Sequence, residues 1–373
     1  MVSLVASNGE VALARPPKGG RRIASIQALR GMAALLVVFG HARSAAVEMD
    51  PGFRPGTFAT AWGVDLFFVI SGFIIVYSSE RVFGTRTGPR QFLWRRATRV
   101  VPLYWIATTV WLCIAMMKGN HDSELNLGSI ALSYLFIPNV LGNPAYPVPV
   151  LSLGWTLNYE MFFYVVFAGF LLLRRTPGSL AAAGLLAAFV LIEAVVPFGA
   201  VPIAYWSQPI ILEFVLGILI ALALRHGLAL PAYLRGLMIA GAVGLLVADP
   251  LGIALLPHTP NDISRLLSWG IPASAIFAAT VFGADPLPKK LEIPAVRIGD
   301  ASYVLYLFHP IVLGTMKAAW PRLHLHSSWL FIVCVIAGSV AFALLLHALI
   351  EKPLVSALQN LGDRKARPQP LNA

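Results

Sequence analysis

The chain has 373 residues, 58% of them hydrophobic and 12% charged, with a mean hydropathy of +0.75. A soluble domain of this length carries about twice that charge fraction, so the composition excludes an ordinary soluble enzyme and describes a polytopic membrane protein. The formal net charge is +11, and the positions of the cations decide whether it speaks for nucleic acid. The two cysteines, Cys113 and Cys334, both fall in apolar stretches. They imply neither a disulfide framework nor a metal site.

Residues 1–22 (MVSLVASNGEVALARPPKGGRR) are polar and rich in Pro and Gly. They contain no apolar core of a signal peptide, so the apolar stretch that follows is expected to stay in the mature protein. Ten apolar segments then recur, at 23–41, 61–80, 101–117, 155–173, 178–197, 206–224, 234–249, 266–284, 302–317 and 329–350. Each is near the roughly 20 residues that a spanning helix needs. The segment 234–249 is short and interrupted by Gly241 and Gly244. The stretch 127–141 (LGSIALSYLFIPNVL) is apolar but Pro-limited and too short, and is expected to be interfacial or re-entrant. No repeat is visible. The expected fold class is an all-α polytopic integral membrane protein of about ten transmembrane helices with both termini cytoplasmic. The expected organisation is a cytoplasmic segment 1–22, a transmembrane domain 23–350 and a basic tail 351–373.

Ten spans with the N-terminus inside place 21 of the 28 Lys and Arg residues on the cytoplasmic side. Six (Arg43, Arg54, Lys118, Arg265, Lys317 and Arg322) fall on the opposite side. That asymmetry is the one the positive-inside rule requires. The basic surplus is therefore topological, facing a bilayer, with no nucleic-acid partner expected. The remaining cation, Arg30, lies within the first span.

Arg30 and His41 are eleven positions apart on that span. Eleven residues rise about 16 Å and turn through about three revolutions plus 20°, which puts both side chains on one face. An intramembrane cation and an imidazole on one stripe are costly in lipid and mark a functional site by default. In the same frame Asp65 lies at about the depth of His41, and Glu160 one to two turns into the fourth span. Either carboxylate is a candidate to orient the imidazole. Glu213 and His309 lie near the middle of their spans. His309 precedes Pro310, where a freed backbone carbonyl can be satisfied by the imidazole itself. Ser71 sits beside Gly72, a pair that permits close helix packing; a nucleophilic serine is the weaker alternative.

The run RQFLWRRATRVVPLYW (90–105) carries Arg95, Arg96 and Arg99 on a helical approach to the third span. Arg96 and Arg99, one turn apart, suit a phosphate clamp. The same cluster suits topology and anionic headgroups.

The stretches IQALRGMAALLVVFGHA, GVDLFFVISGFII, FLWRRATRVVPLYW, LGWTLNYEMFFY and ASYVLYLFHPIV together resemble the integral-membrane acyltransferase-3 family. The nearest likeness is to bacterial exopolysaccharide-production O-acetyltransferases, and it covers residues 22–350. The resemblance implies a ten-helix enzyme of the inner membrane moving an acyl group, usually acetyl, from acyl-CoA (acetyl-CoA) to a carbohydrate hydroxyl, with no metal. Its Arg-x10-His signature falls on Arg30 and His41, and its Arg-x-x-Arg on Arg96 and Arg99. Many relatives carry a soluble hydrolase-like domain after the membrane part; this sequence runs to Ala373 without one, and the membrane domain is expected to suffice.

On this basis Arg95, Arg96, Arg99 and Arg30 are the expected donor-binding residues. His41 is the expected general base or, alternatively, an acyl-accepting nucleophile. Asp65 and Glu160 are its expected support, and Trp155, Glu160 and His309 the expected contacts to a polymeric or lipid-linked sugar. The exoplasmic segment 118–154, long and rich in Pro, Asn and aromatics, is the candidate acceptor loop. A transporter or flippase is the competing class, since it too would hold intramembrane charges, although inverted repeats are not evident here.

Overall fold

The structure is a computed structural model that describes residues 20–56, 58–117, 126–138, 148–255, 261–283 and 289–366. Among these residues every regular element is helical. The first is α1 (Gly20–Met49), which carries the Arg30–His41 stripe without a break. It is followed by α2 (Trp62–Ser78) and α3 (Gly88–Met117). The described part of the apolar stretch 127–141 forms the short α4 (Leu127–Tyr134), capped by the Asn126 side chain, which accepts from the Ser129 N–H at 2.8 Å. Then come α5 (Trp155–Phe170), α6 (Arg175–Val195), α7 (Val201–Trp206), α8 (Leu212–Arg225) and α9 (Ala232–Ala248). The three-residue α10 (Ile263–Arg265) runs through a π-turn at Leu266–Gly270 into α11 (Ile271–Val281). The last elements are α12 (Lys289–Asp300), α13 (Ser302–Ala319) and α14 (Ser328–Leu346), which passes through a second π-turn at His347–Glu351 into α15 (Lys352–Ala366).

A helix lies on every one of the ten apolar segments, but not every helix is long. Four helical runs, Ala24–Met49, Gly88–Met117, Arg175–Val195 and Ser328–Gly362, are long and apolar enough to cross a bilayer. Trp62–Ser78 and Ala232–Ala248 are apolar and shorter. The shortfall against ten has local causes. The segment 206–224 stays apolar across a 3-10 turn at Pro209–Ile211, but the regular helix begins only at Leu212. The segment 155–173 is α-helical only from Trp155 to Phe170. Hydropathy does not register such interruptions, because it is indifferent to backbone geometry.

Small residues set how closely the helices cross. A Cβ on Gly72 would lie 2.2 Å from the Phe214 carbonyl oxygen, and one on Gly217 would lie 2.1 Å from the Val69 carbonyl oxygen. Helices α2 and α8 therefore meet backbone to backbone, the arrangement that lets dispersion act between helices where lipid offers no hydrophobic drive. On the other flank of α1, a Cβ on Gly299 would lie 2.0 Å from the Gln27 carbonyl oxygen, which fixes α12 against α1. These crossings fix α2 against α8 and α1 against α12, and α1 and α2 both face one polar interior.

Candidate active site

The polar interior is a cavity of about 190 Å³ walled by α1, α2, α3, α5 and α13. Its charged lining groups are three guanidiniums (Arg30, Arg96 and Arg99) and one carboxylate, Glu160. Such a lining suits an anion, and two of its cations are held in place by neighbouring side chains. Arg30 Nη1 donates to Gln27 Oε1 at 2.9 Å, an i, i+3 contact on α1, and Gln27 Nε2 donates to Asp300 Oδ1 at 2.5 Å. Arg96 Nη2 donates to Ser78 Oγ at 2.6 Å, and its guanidinium lies over the rings of Phe92 and Tyr164 at 5.6 and 6.0 Å. Glu160 Oε1 accepts from Ser71 Oγ at 3.0 Å and from the Tyr164 hydroxyl. Four helices thus hold the groups that a phosphate would meet: α3 brings its two arginines, α1 brings Arg30, and α2 with α5 tethers the carboxylate.

His41 lies about 16 Å along α1 from Arg30, and its side chain is exposed. Its described partners are the Val37 carbonyl oxygen, 3.0 Å from Nδ1, and Nε2 of His309, 3.1 Å from the same atom. His309 itself is 1% exposed. Pro310 follows it within α13 and has no N–H, so the carbonyl of residue 306 loses its ordinary helical partner. The His309 ring takes that place: Nδ1 lies 2.8 Å from the Tyr306 carbonyl oxygen and 3.2 Å from that of Leu305.

The acceptors around the two rings assign their protons. His309 Nδ1 faces two carbonyls and must carry hydrogen, which leaves Nε2 a lone pair. His41 Nδ1 then faces that lone pair and a carbonyl, so it too carries hydrogen. The lone pair of His41 is left at Nε2 on the exposed side chain. This is the tautomer of a base ready to accept a proton.

Cavity and imidazoles are linked through Tyr306. Its ring lines the cavity and packs edge-on against Phe67 at 6.1 Å. Its hydroxyl donates to the Leu153 carbonyl at 3.0 Å and meets Thr156 Oγ1 at 3.0 Å, while its own carbonyl receives His309.

A family model described as an acyltransferase domain matches residues 23–348. The chain belongs to the acyltransferase-3 family. It is 31% identical over 295 residues to the exopolysaccharide production protein ExoZ of Rhizobium meliloti (strain 1021), covering 79% of this chain and 89% of that protein. It is 24% identical over 388 aligned positions to the acyltransferase MdmB of Streptomyces mycarofaciens, covering 94% of this chain and 96% of that one. No solved structure matches the chain. The protein is thus an acyltransferase, and its long apolar helices make it a membrane protein.

Within this acyltransferase the residues singled out from sequence divide into two sets. Arg30, Arg96, Arg99 and Glu160 meet at the cavity, whereas Arg95 lies on the exposed face of α3. His41 and His309 meet each other. Asp65 does not orient His41: its Oδ1 and Oδ2 receive Nε and Nη2 of Arg265 at 3.0 and 2.9 Å. Glu160 likewise is bound to Ser71 and Tyr164 rather than to the imidazole, and the side chain that meets the imidazole is His309. Arg265, counted from sequence among exoplasmic loop cations, is 2% exposed and paired with a carboxylate that is fully buried. Trp155 is half-buried and lies beneath that guanidinium. Of the candidate acceptor loop, residues 118–125 and 139–147 lie outside the described residues.

Proposed function

We propose that the acyltransferase moves an acetyl group from acetyl-CoA to a hydroxyl of a cell-surface or exported polysaccharide sugar, with His41 as general base. The observation that carries this reading is the His309–His41 contact at 3.1 Å, which leaves the lone pair of His41 at Nε2. The acceptor hydroxyl gives its proton to that nitrogen as its oxygen attacks the thioester carbonyl. The new C–O bond forms, the C–S bond breaks, and the departing thiolate takes the proton back from the imidazolium. The three guanidiniums in the cavity against one carboxylate suit the phosphates of the donor. Tyr306, at the cavity wall and under His309, marks the way its arm would follow.

The carbohydrate acceptor is inferred from likeness to a protein named for exopolysaccharide production. The topology that goes with this function has ten spans, both termini in the cytoplasm and Arg96 and Arg99 at the cytoplasmic face of a bacterial inner membrane. It is supported by the cation asymmetry of the sequence. That arrangement leaves Arg30 toward the donor and His41 toward the acceptor.

The test is transfer of labelled acetyl from acetyl-CoA to exported polysaccharide by the purified protein. Transfer by wild type that is lost in His41→Ala is the expected result. Unchanged transfer by that variant would refute the role of His41, and an acetyl adduct trapped on His41 would replace base catalysis by covalent catalysis.

A further inference from the structure

A second cluster of charged groups, all of them buried, lies outside this chemistry. Arg265 on α10 donates Nε and Nη2 to the two oxygens of Asp65 on α2, at 3.0 and 2.9 Å, and Nη1 to Asn261 Oδ1 at 3.3 Å. The guanidinium lies over two indoles, Trp155 and Trp269, 5.4 Å from each ring. Glu213 on α8 is also fully buried, and its carboxyl lies against Gly270, where a Cβ would come within 2.7 Å of it. An isolated fold-stabilising pair would need one carboxylate and no particular neighbour. Here the cation lies over two rings, one of which opens α5.

From Trp155 a continuous set of short contacts leads to the imidazoles. The next residue, Thr156, donates Oγ1 to the Leu153 carbonyl at 3.1 Å, closing the turn that begins α5. That turn receives the Tyr306 hydroxyl, at 3.0 Å to the Leu153 carbonyl and 3.0 Å to Thr156 Oγ1. Tyr306 presents the carbonyl that fixes the proton on His309 Nδ1 at 2.8 Å, and His309 meets His41. We propose that Arg265 is a positioning residue for the His41–His309 pair, acting through Trp155 and Tyr306. The indole face and the bidentate carboxylate together set where the start of α5 sits. The start of α5 sets Tyr306, and Tyr306 sets the ring that orients the base. Lysine cannot replace this cation, since an ammonium neither forks onto a carboxylate nor stacks over rings.

The inference rests on His41 acting as base under the function proposed above, and its test therefore carries a readout that needs no turnover. Arg265→Lys, Trp155→Phe and Tyr306→Phe are purified with wild type, and each is measured for acetyl transfer, for coenzyme A binding, and by 15N spectra of selectively labelled histidines. Arg265→Lys is expected to lower kcat by about tenfold or more while coenzyme A affinity stays within about twofold, because the cavity arginines are untouched. The His41 15N signals are expected to move from a single Nδ1–H form toward a mixture. Adding Tyr306→Phe to Arg265→Lys should cost little more than the worse single change, since both act on one route.

Wild-type kcat and wild-type His41 signals in Arg265→Lys would overturn the proposal, as would full additivity of the pair. If Arg265→Lys fails to fold, Trp155→Phe takes its place with the same two readouts, and wild-type values there overturn it equally. Wild-type protein that neither binds coenzyme A nor transfers acetyl would refute the proposed function instead, while the histidine spectra would still decide the positioning.

Discussion

Replacing His309 by asparagine separates the hydrogen bonding of its two ring nitrogens. The asparagine amide can still donate to the Tyr306 carbonyl, the bond His309 Nδ1 makes at 2.8 Å, but it presents nothing where Nε2 lies 3.1 Å from His41. In the proposed mechanism His41 becomes an imidazolium as it takes the acceptor's proton, and the bond from its Nδ1–H is then charge-assisted. Such a bond contributes roughly 1.5–3 kcal/mol, which converts to a loss of about 10- to 150-fold in kcat. The donor's KM should stay within about twofold of wild type, because Arg30, Arg96 and Arg99 are unaltered. His309→Gln returns an amide oxygen near the lost Nε2 and should recover part of the rate. Initial-rate kinetics with labelled acetyl-CoA, alongside thermal unfolding to confirm equal folding, make the comparison. A kcat for His309→Asn indistinguishable from wild type, with folding intact, would refute the assignment of His309 as the orienting partner.

Arg96→Ala should raise the donor's KM by about 10-fold or more with a smaller effect on kcat, since charge-assisted contacts to a phosphate are worth roughly 1.5–3 kcal/mol; saturation curves in acetyl-CoA check this. Asp65→Ala strands Arg265 as an unpaired buried charge, and thermal unfolding in detergent should show a loss on the order of 3–5 kcal/mol or no folded protein. Gly72→Leu places a side chain where a Cβ already lies 2.2 Å from the Phe214 carbonyl oxygen; size-exclusion profiles should show aggregated or degraded protein in place of the monodisperse peak.

The Arg30–His41 stripe was legible because α1 is an unbroken helix from Gly20 to Met49, so arithmetic on residue number held over its whole length. Arg96 and Arg99 were legible for the same reason on α3. The partner of His41 was not. Depth along a span can be counted from sequence, but azimuth between spans cannot, and His309 is 268 residues away on another helix. Asp65 and Glu160 matched His41 in depth and chemistry, yet both face other partners. Arg265 misled for a related reason. A cation at the margin of an apolar segment reads as a loop charge, and only the fold reveals a carboxylate and two indoles waiting for it. The His309–Pro310 pair came nearest to being read in full: the freed carbonyl was expected, whereas its effect on the ring's second nitrogen needed the position of His41.

Pro310 has an effect that reaches beyond its own helix. By withholding one N–H it leaves the Tyr306 carbonyl to the His309 ring, and the proton so fixed dictates where the lone pair of His41 is found. The instruction is held in the main chain, in a carbonyl that carries no titratable proton of its own. An enzyme that must ready a base inside a membrane ordinarily faces the cost of burying an acid beside it. Under the proposed mechanism a neutral ring and an amide carbonyl take that place, and the base is readied without an added charge.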